Sequence, residues 1–93
     1  MHTLAIIIDA ASARQQETLH RFERFMAESF EGECHALDCV WFVRTDRSIA
    51  DVHGILVASG LFGSAGAFIV APVAGKWREY RCASAIECFD QWE

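Results

Sequence analysis

The apolar run Leu4–Ile8, which ends at Asp9, is the sequence feature that most constrains the fold. A short run of apolar residues rich in isoleucine is typical of a central β-strand that is covered on at least one face. Such a strand needs neighbouring strands for its backbone and a second layer to bury its side chains. The chain has 93 residues, so we expect a single domain over residues 1–93.

A helix is predicted to follow this strand. Ser12-Ala13-Arg14-Gln15 has the form of a capping box, in which serine and glutamine satisfy the first amides of a helix. Apolar residues then recur every three or four positions, which indicates an amphipathic helix. They are Leu19, Phe22, Phe25, Met26 and Phe30. Gly32 is a plausible stop for this helix.

The middle of the chain predicts a hairpin. The segment Val40–Thr45 is dense in β-forming residues, and the preceding stretch from Glu33 is also compatible with a strand. Asp38-Cys39 favours a turn between two strands, because aspartate is a common turn residue. One long bent strand is the alternative.

A second helix and a last strand follow. Ser48 is a good N-cap residue, and Gly60 is expected to end the helix. We expect the apolar face of this helix at Ile49, Val52, Ile55 and Leu56. The segment Ala67–Val73 predicts the last strand, with Pro72 at its end or on a sheet edge because proline cannot donate to a ladder.

The predicted order is β-α-β-β-α-β, an α+β fold with the ferredoxin-like layout, in which helices cover one face of an antiparallel sheet. A short C-terminal extension completes it, with an edge strand in "KWREYR" and a helical turn capped by Ser84. Hydrophobic residues make up 53% of the chain. We therefore expect a second subunit to cover the other face of the sheet.

Composition and charge exclude several classes of protein. No apolar run approaches the roughly 18 residues of a membrane-spanning helix, and the N-terminus lacks the basic region of a signal peptide. We expect a cytoplasmic protein with no membrane partner. Its four cysteines are then predicted to be reduced, buried thiols, with a zinc cluster as the alternative. The net charge of −5 argues against a generally basic nucleic-acid surface.

Three short motifs, in this order and spacing, resemble the CRISPR-associated Cas-two family and most closely its stand-alone SinR-like relatives. The matching residues are Asp9 after the first strand, Trp41–Thr45 in mid-chain, and Gly75–Trp77 after the fourth strand. The resemblance covers roughly Leu4 to Trp77. It implies a ferredoxin-like homodimer in which the first-strand aspartates of two subunits face each other and can hold a divalent metal.

The resemblance also implies metal-dependent phosphodiester cleavage, with Asp9 as the catalytic and metal-binding residue and Mg²⁺ or Mn²⁺ as the cofactor. The expected substrate is RNA or DNA. Other members of the family are non-catalytic scaffolds, and relatives act in toxin–antitoxin systems. The alternative function is therefore a non-catalytic dimeric interaction module: a scaffold, an antitoxin-like regulator or an inhibitor of nucleic-acid machinery. Local chemistry leaves Asp9 an alternative too, since aspartate commonly ends strands and caps helices.

Two further groups of residues are candidates for binding. Arg44 and Arg47 are the best candidates for phosphate contacts, and ion pairs with Asp46, Asp51 or a partner subunit are the alternative. The aromatic residues Trp41, Phe42 and Trp77 have the chemistry to stack on bases. We expect them at the dimer interface instead, because aromatic residues in strands are more often core or interface residues.

Overall fold

The computed structural model describes residues 1–9, 16–37, 39–62 and 66–74. Its elements are β1 (His2–Ile8), α1 (Gln16–Ser29), β2 (Gly32–Leu37), β3 (Val40–Thr45), α2 (Ile49–Ala58) and β4 (Phe68–Val73). The four strands form one antiparallel sheet in the order β2-β3-β1-β4. The prediction of an α+β fold with an antiparallel sheet is confirmed.

The core lies between the two helices and one face of the sheet. Strand β1 is central, between β3 and β4, and its alternate residues Leu4, Ile6 and Ile8 are buried. Trp41 and Val43 of β3 lie on the same face, because they pair with Ile6 and Leu4. The helices contribute Phe22, Met26, Phe30, Val52 and Leu56 to this core. We call the opposite face of the sheet, which carries Thr3, Ala5 and Ile7, the second face.

The hairpin prediction is confirmed, and the single bent strand is wrong. Strands β2 and β3 pair antiparallel, and Leu37 and Val40 are opposite each other at the turn. The prediction that Gly32 stops the first helix is also wrong. Helix α1 ends at Ser29, the amide of Phe30 donates to the carbonyl of Met26 at 3.3 Å, and Gly32 begins β2. The side chain of Phe30 is buried and joins the core.

Helix α2 starts as predicted. The side chain of Ser48 accepts a hydrogen bond from the amide of Asp51 at 3.1 Å. Val52 and Leu56 are buried as expected, whereas Ile49, the first helical residue, is exposed and lies outside the core. Gly60 follows the helix with φ of +76°, a conformation that glycine adopts without steric cost.

Strand β4 begins at Phe68 and contains Pro72. Among the described strands it pairs only with β1, so Pro72 lies in an edge strand as predicted. The predicted capping box at 12–15 and the predicted extension, with "KWREYR", Ser84 and Trp77, lie outside the described residues. Neither α1 nor α2 combines the length and the hydropathy that a membrane crossing requires.

Candidate functional site

Strand pairing aligns the side chains of the second face in rows that cross all four strands. One row consists of Leu37, Val40, Ile7 and Ile69, and we call it the apolar row. The next consists of Cys34, Phe42, Ala5 and Ala71, and we call it the central row. Both rows are free of charged side chains.

The two rows differ in exposure. Leu37, Ile7 and Ile69 of the apolar row are 55%, 38% and 61% exposed, and Val40, which lies between Leu37 and Ile7, is half-buried. In the central row, by contrast, Cys34 and Ala5 are only 6% and 8% exposed. Large exposed aliphatic side chains that lie side by side across a sheet are the usual mark of an interaction surface.

Asp9 lies beside the apolar row. Its amide donates to the carbonyl of Ala67 at 2.9 Å, and the amide of Ile8 donates to the carbonyl of Cys39 at 2.8 Å. These bonds extend the backbone of β1 past its last strand residue. The alternation of side chains along β1 then puts exposed Asp9 on the second face, two residues or about 7 Å from Ile7 along the strand.

The predicted metal site can be compared with the acidic, histidine and cysteine side chains that the structure describes. Among the residues that the structure describes, no three His, Cys, Asp or Glu side chains form a group that could hold a metal ion. Asp9 supplies one carboxylate per chain, and Mg²⁺ or Mn²⁺ prefers several oxygen ligands. A single copy therefore does not form a metal centre at Asp9 from its described residues, whereas two copies would offer two carboxylates.

The two arginines predicted to bind phosphate are directed to different layers of the molecule. Arg44 pairs with Thr3 and Gly32 in the sheet, which puts it on the second face, half-buried. Arg47 lies after β3, and its guanidinium donates to the carbonyl of Ser29 at the end of α1, at 3.2 Å. Its backbone carbonyl also accepts from Nε2 of His2 at 2.7 Å. The strand register therefore places Arg44 on the face of the sheet opposite α1, whereas Arg47 donates its hydrogen bond to the end of α1.

The three aromatic residues predicted at the dimer interface differ in position and burial. Trp41 is fully buried in its own chain, where its ring packs against Phe22 with centroids 5.7 Å apart. This corrects its assignment, because Trp41 has no surface to offer a second subunit. Phe42 alternates with it and lies half-buried on the second face. Trp77 lies outside the described residues.

A cluster of histidines and glutamates between α1 and β2 was not predicted. The ring of His35 stacks on Trp41 with centroids 3.7 Å apart and an interplanar angle of 3°. Glu23 of α1 lies 3.9 Å from Nδ1 of His35 and 3.8 Å from Nδ1 of His20. Partial burial and then the charge of Glu23 raise the pKa of Glu33, against the opposing effect of His35. The sequence gives no signal for this cluster, because its members come from two elements with no shared motif.

The cysteines also depart from expectation. Cys34 is disulfide-bonded, and Cys39 is a free, half-buried thiol. The prediction of reduced thiols is therefore wrong for Cys34, although its burial was expected. The bonded partner of Cys34 lies outside the described residues. The zinc alternative loses a ligand, since a disulfide sulfur is not a thiolate.

The fold and this surface define a small α+β domain with an exposed apolar row beside one carboxylate. No family model, curated protein or solved structure matches the chain. The resemblance to the Cas-two family consequently rests on the short motifs around Asp9, Trp41 and Trp77, and it stays a prediction.

Proposed function

We propose that this chain is a homodimeric interaction module that associates through the apolar row on the second face of its sheet. The observation that carries the proposal is the exposure of Leu37, Ile7 and Ile69 in one continuous row. Neighbouring strands are about 4.8 Å apart, so the row is about 14 Å long, enough to seat a matching row from a second chain.

A second copy suits this surface better than a differently charged partner. The row has no charge of its own, so a two-fold axis would pair like with like at no electrostatic cost. A domain of this size also buries a modest share of its surface, and association is a common remedy. We further propose that the fold is ferredoxin-like, since the strand order β2-β3-β1-β4 with a helix after β1 and after β3 agrees with that layout. In this role the dimer serves as a scaffold, an antitoxin-like regulator or an inhibitor of nucleic-acid machinery.

A metal-dependent nuclease is the second candidate, and the position of Asp9 favours it. Asp9 stands on the same face as the apolar row, so a two-fold axis near the end of β1 would bring two Asp9 carboxylates together. A Mg²⁺ or Mn²⁺ ion bound there would activate water and offset charge on a phosphate of RNA or DNA. The net charge of −5 and the separation of Arg44 from Arg47 oppose tight binding of a polyanion. We rank this candidate second for that reason.

The dimer is tested by light scattering on the wild type and three lysine variants. Ile69→Lys and Leu37→Lys place a charge at opposite ends of the apolar row. Val57→Lys is the matched control, because Val57 on α2 is 61% exposed, as is Ile69. We expect a dimer for the wild type and Val57→Lys, and a monomer for the two row variants. A monomeric wild type at micromolar concentration, or equal behaviour of Ile69→Lys and Val57→Lys, would reject the apolar row as the interface.

The nuclease candidate is tested separately with Asp9→Ala. We expect cleavage of RNA or DNA by the wild type that requires Mg²⁺ or Mn²⁺ and disappears in the variant, while the variant remains a dimer. If Asp9→Ala cleaves as fast as the wild type, the activity does not arise at Asp9. If the wild type cleaves neither substrate with either ion, only the interaction module stands.

A further inference from the structure

We propose that the outward face of α2 is a second self-association surface, on which the α2 helix of another copy packs with interlocking side chains. The face consists of two neighbouring rows with one residue at every fourth position. We call the row of Ile49, His53 and Val57 the ridge. We call the row of Ala50, Gly54 and Ala58 the small row. All six residues are exposed.

The ridge puts large apolar side chains where a surface helix usually has polar ones. Ile49 and Val57 are 41% and 61% exposed, whereas Val52 and Leu56 are the residues of α2 that are buried in the core. Asp51 is the only Asp, Glu, Lys or Arg residue in the helix. Exposed aliphatic side chains in one line along a helix are the usual mark of an interaction surface.

The small row supplies the complementary shape. It lines an open groove of about 520 Å³, together with Arg47, Asp51 and Ile55. At Gly54, near the middle of α2, an added Cβ atom would meet no other atom within 4 Å, so packing inside the chain does not require glycine. Glycine in a helix interior lowers stability relative to alanine. Gly54 therefore weakens the helix and leaves room for a close approach from outside.

The order of large and small residues identifies the occupant as a second copy. Each ridge residue is followed directly by a residue of the small row, in the pairs Ile49-Ala50, His53-Gly54 and Val57-Ala58. A two-fold axis along the rows thus places the ridge of each copy in the small row of the other. Rows of this spacing interlock when two helices cross at about −50°. A two-fold interface needs a self-complementary surface, and this face provides both halves without opposing like carboxylates or ammonium groups.

The size of the face sets the strength of the contact. A helix of 10 residues is about 15 Å long and, with its side chains, about 10 Å wide. Such a footprint is well below the roughly 800 Å² per partner of a standard interface. We therefore expect weak association, which is populated at high protein concentration and not at the micromolar concentrations that test the apolar row. Helix α2 packs on the face of the sheet opposite the second face, so one copy can make both contacts at once.

The test uses Ile69→Lys as the background, because a charge in the apolar row removes the proposed dimer and isolates the contact through α2. Sedimentation equilibrium is measured from about 10 µM to about 1 mM, the range in which a contact below standard size becomes populated. We expect the average mass of Ile69→Lys to rise from that of a monomer towards that of a dimer. Adding Gly54→Leu fills the small row, and we expect this protein to remain a monomer throughout.

Glu28→Leu in the same background is the matched control, since it adds the same side chain at an exposed position of α1. We expect it to associate as Ile69→Lys does. A monomeric Ile69→Lys at about 1 mM, or equal association of the proteins that carry Gly54→Leu and Glu28→Leu, would overturn the proposal.

Thermal unfolding shows whether Gly54→Leu acts through the fold. We expect its Tm to equal or exceed that of the background, because leucine favours helix more than glycine does. If this protein does not fold, as judged by circular dichroism, Val57→Lys replaces it and is expected to stay monomeric under the same criterion. The inference does not depend on the proposed function: a wild type that is monomeric at micromolar concentration rejects only the apolar row.

Discussion

Replacement of Phe22 by alanine is the sharpest test of how α1 packs on the sheet. Phe22 is fully buried, and its ring contacts Trp41 and Phe62 at centroid distances of 5.7 and 5.1 Å. A buried Phe→Ala change typically costs about 3–5 kcal/mol. Each aromatic pair adds roughly 0.5–1.5 kcal/mol beyond the area that it buries, which favours the upper half of that range. We expect Phe22→Ala to cost about 4–5 kcal/mol.

That loss is large for a chain of 93 residues, since small domains have a free energy of unfolding of roughly 5–15 kcal/mol. At about 4–8 °C per kcal/mol, the expected fall in Tm is at least about 16 °C. Urea and thermal unfolding followed by circular dichroism measure both quantities.

Phe25→Ala is the matched control for this prediction. Phe25 is on the same helix but half-buried, and its ring contacts Phe30 edge-on at 6.5 Å. Partial burial of one ring is worth about 1–2 kcal/mol, less than full burial of a large apolar side chain. If Phe25→Ala destabilises the protein as much as Phe22→Ala does, then the face of α1 assigned to the core is incorrect.

Two smaller effects are also predicted. Ser48→Ala removes the acceptor for the amide of Asp51 and should lower the free energy of unfolding by about 1 kcal/mol in chemical denaturation. Ser48→Gly should lower it by only a few tenths of a kcal/mol. Equal losses in the two variants would show that the cap is not formed. The raised pKa of Glu33 means that the native state binds its proton more tightly than the unfolded chain, so its ionisation destabilises the fold as pH rises above the ordinary value of 4.5. Glu33→Gln should therefore be more stable than the wild type at pH 7, with the difference shrinking below pH 4.5; a difference that grows on acidification would contradict this sign.

The local signals in the sequence predicted the elements well. Val40–Thr45 has the bounds of β3, Ser48 caps α2 as expected, and Pro72 lies in an edge strand of the described sheet. Each of these depends on a few neighbouring residues whose preferences act at short range.

The faces of the strands were harder to predict than the strands. The run Leu4–Ile8 is apolar throughout, so its composition does not reveal that Ile6 is buried while Ile7 is exposed. Trp41 and Phe42 are adjacent aromatic residues, and adjacent side chains of a strand lie on opposite faces of the sheet. A shift of one residue in the strand register would exchange which of the two enters the core. The packing of helix α1 determines which face is buried, since Phe22 and Met26 cover the face that carries Trp41.

The disulfide at Cys34 revises the expectation for the cysteines. Four cysteines allow three pairings, and the sequence favoured none of them. A disulfide at Cys34 opposes the expectation of reduced thiols, because such bonds persist mainly in oxidising surroundings. Asp9 lies beside the apolar row, so on the proposed dimer any metal bound at its carboxylate would depend on how the second copy packs there.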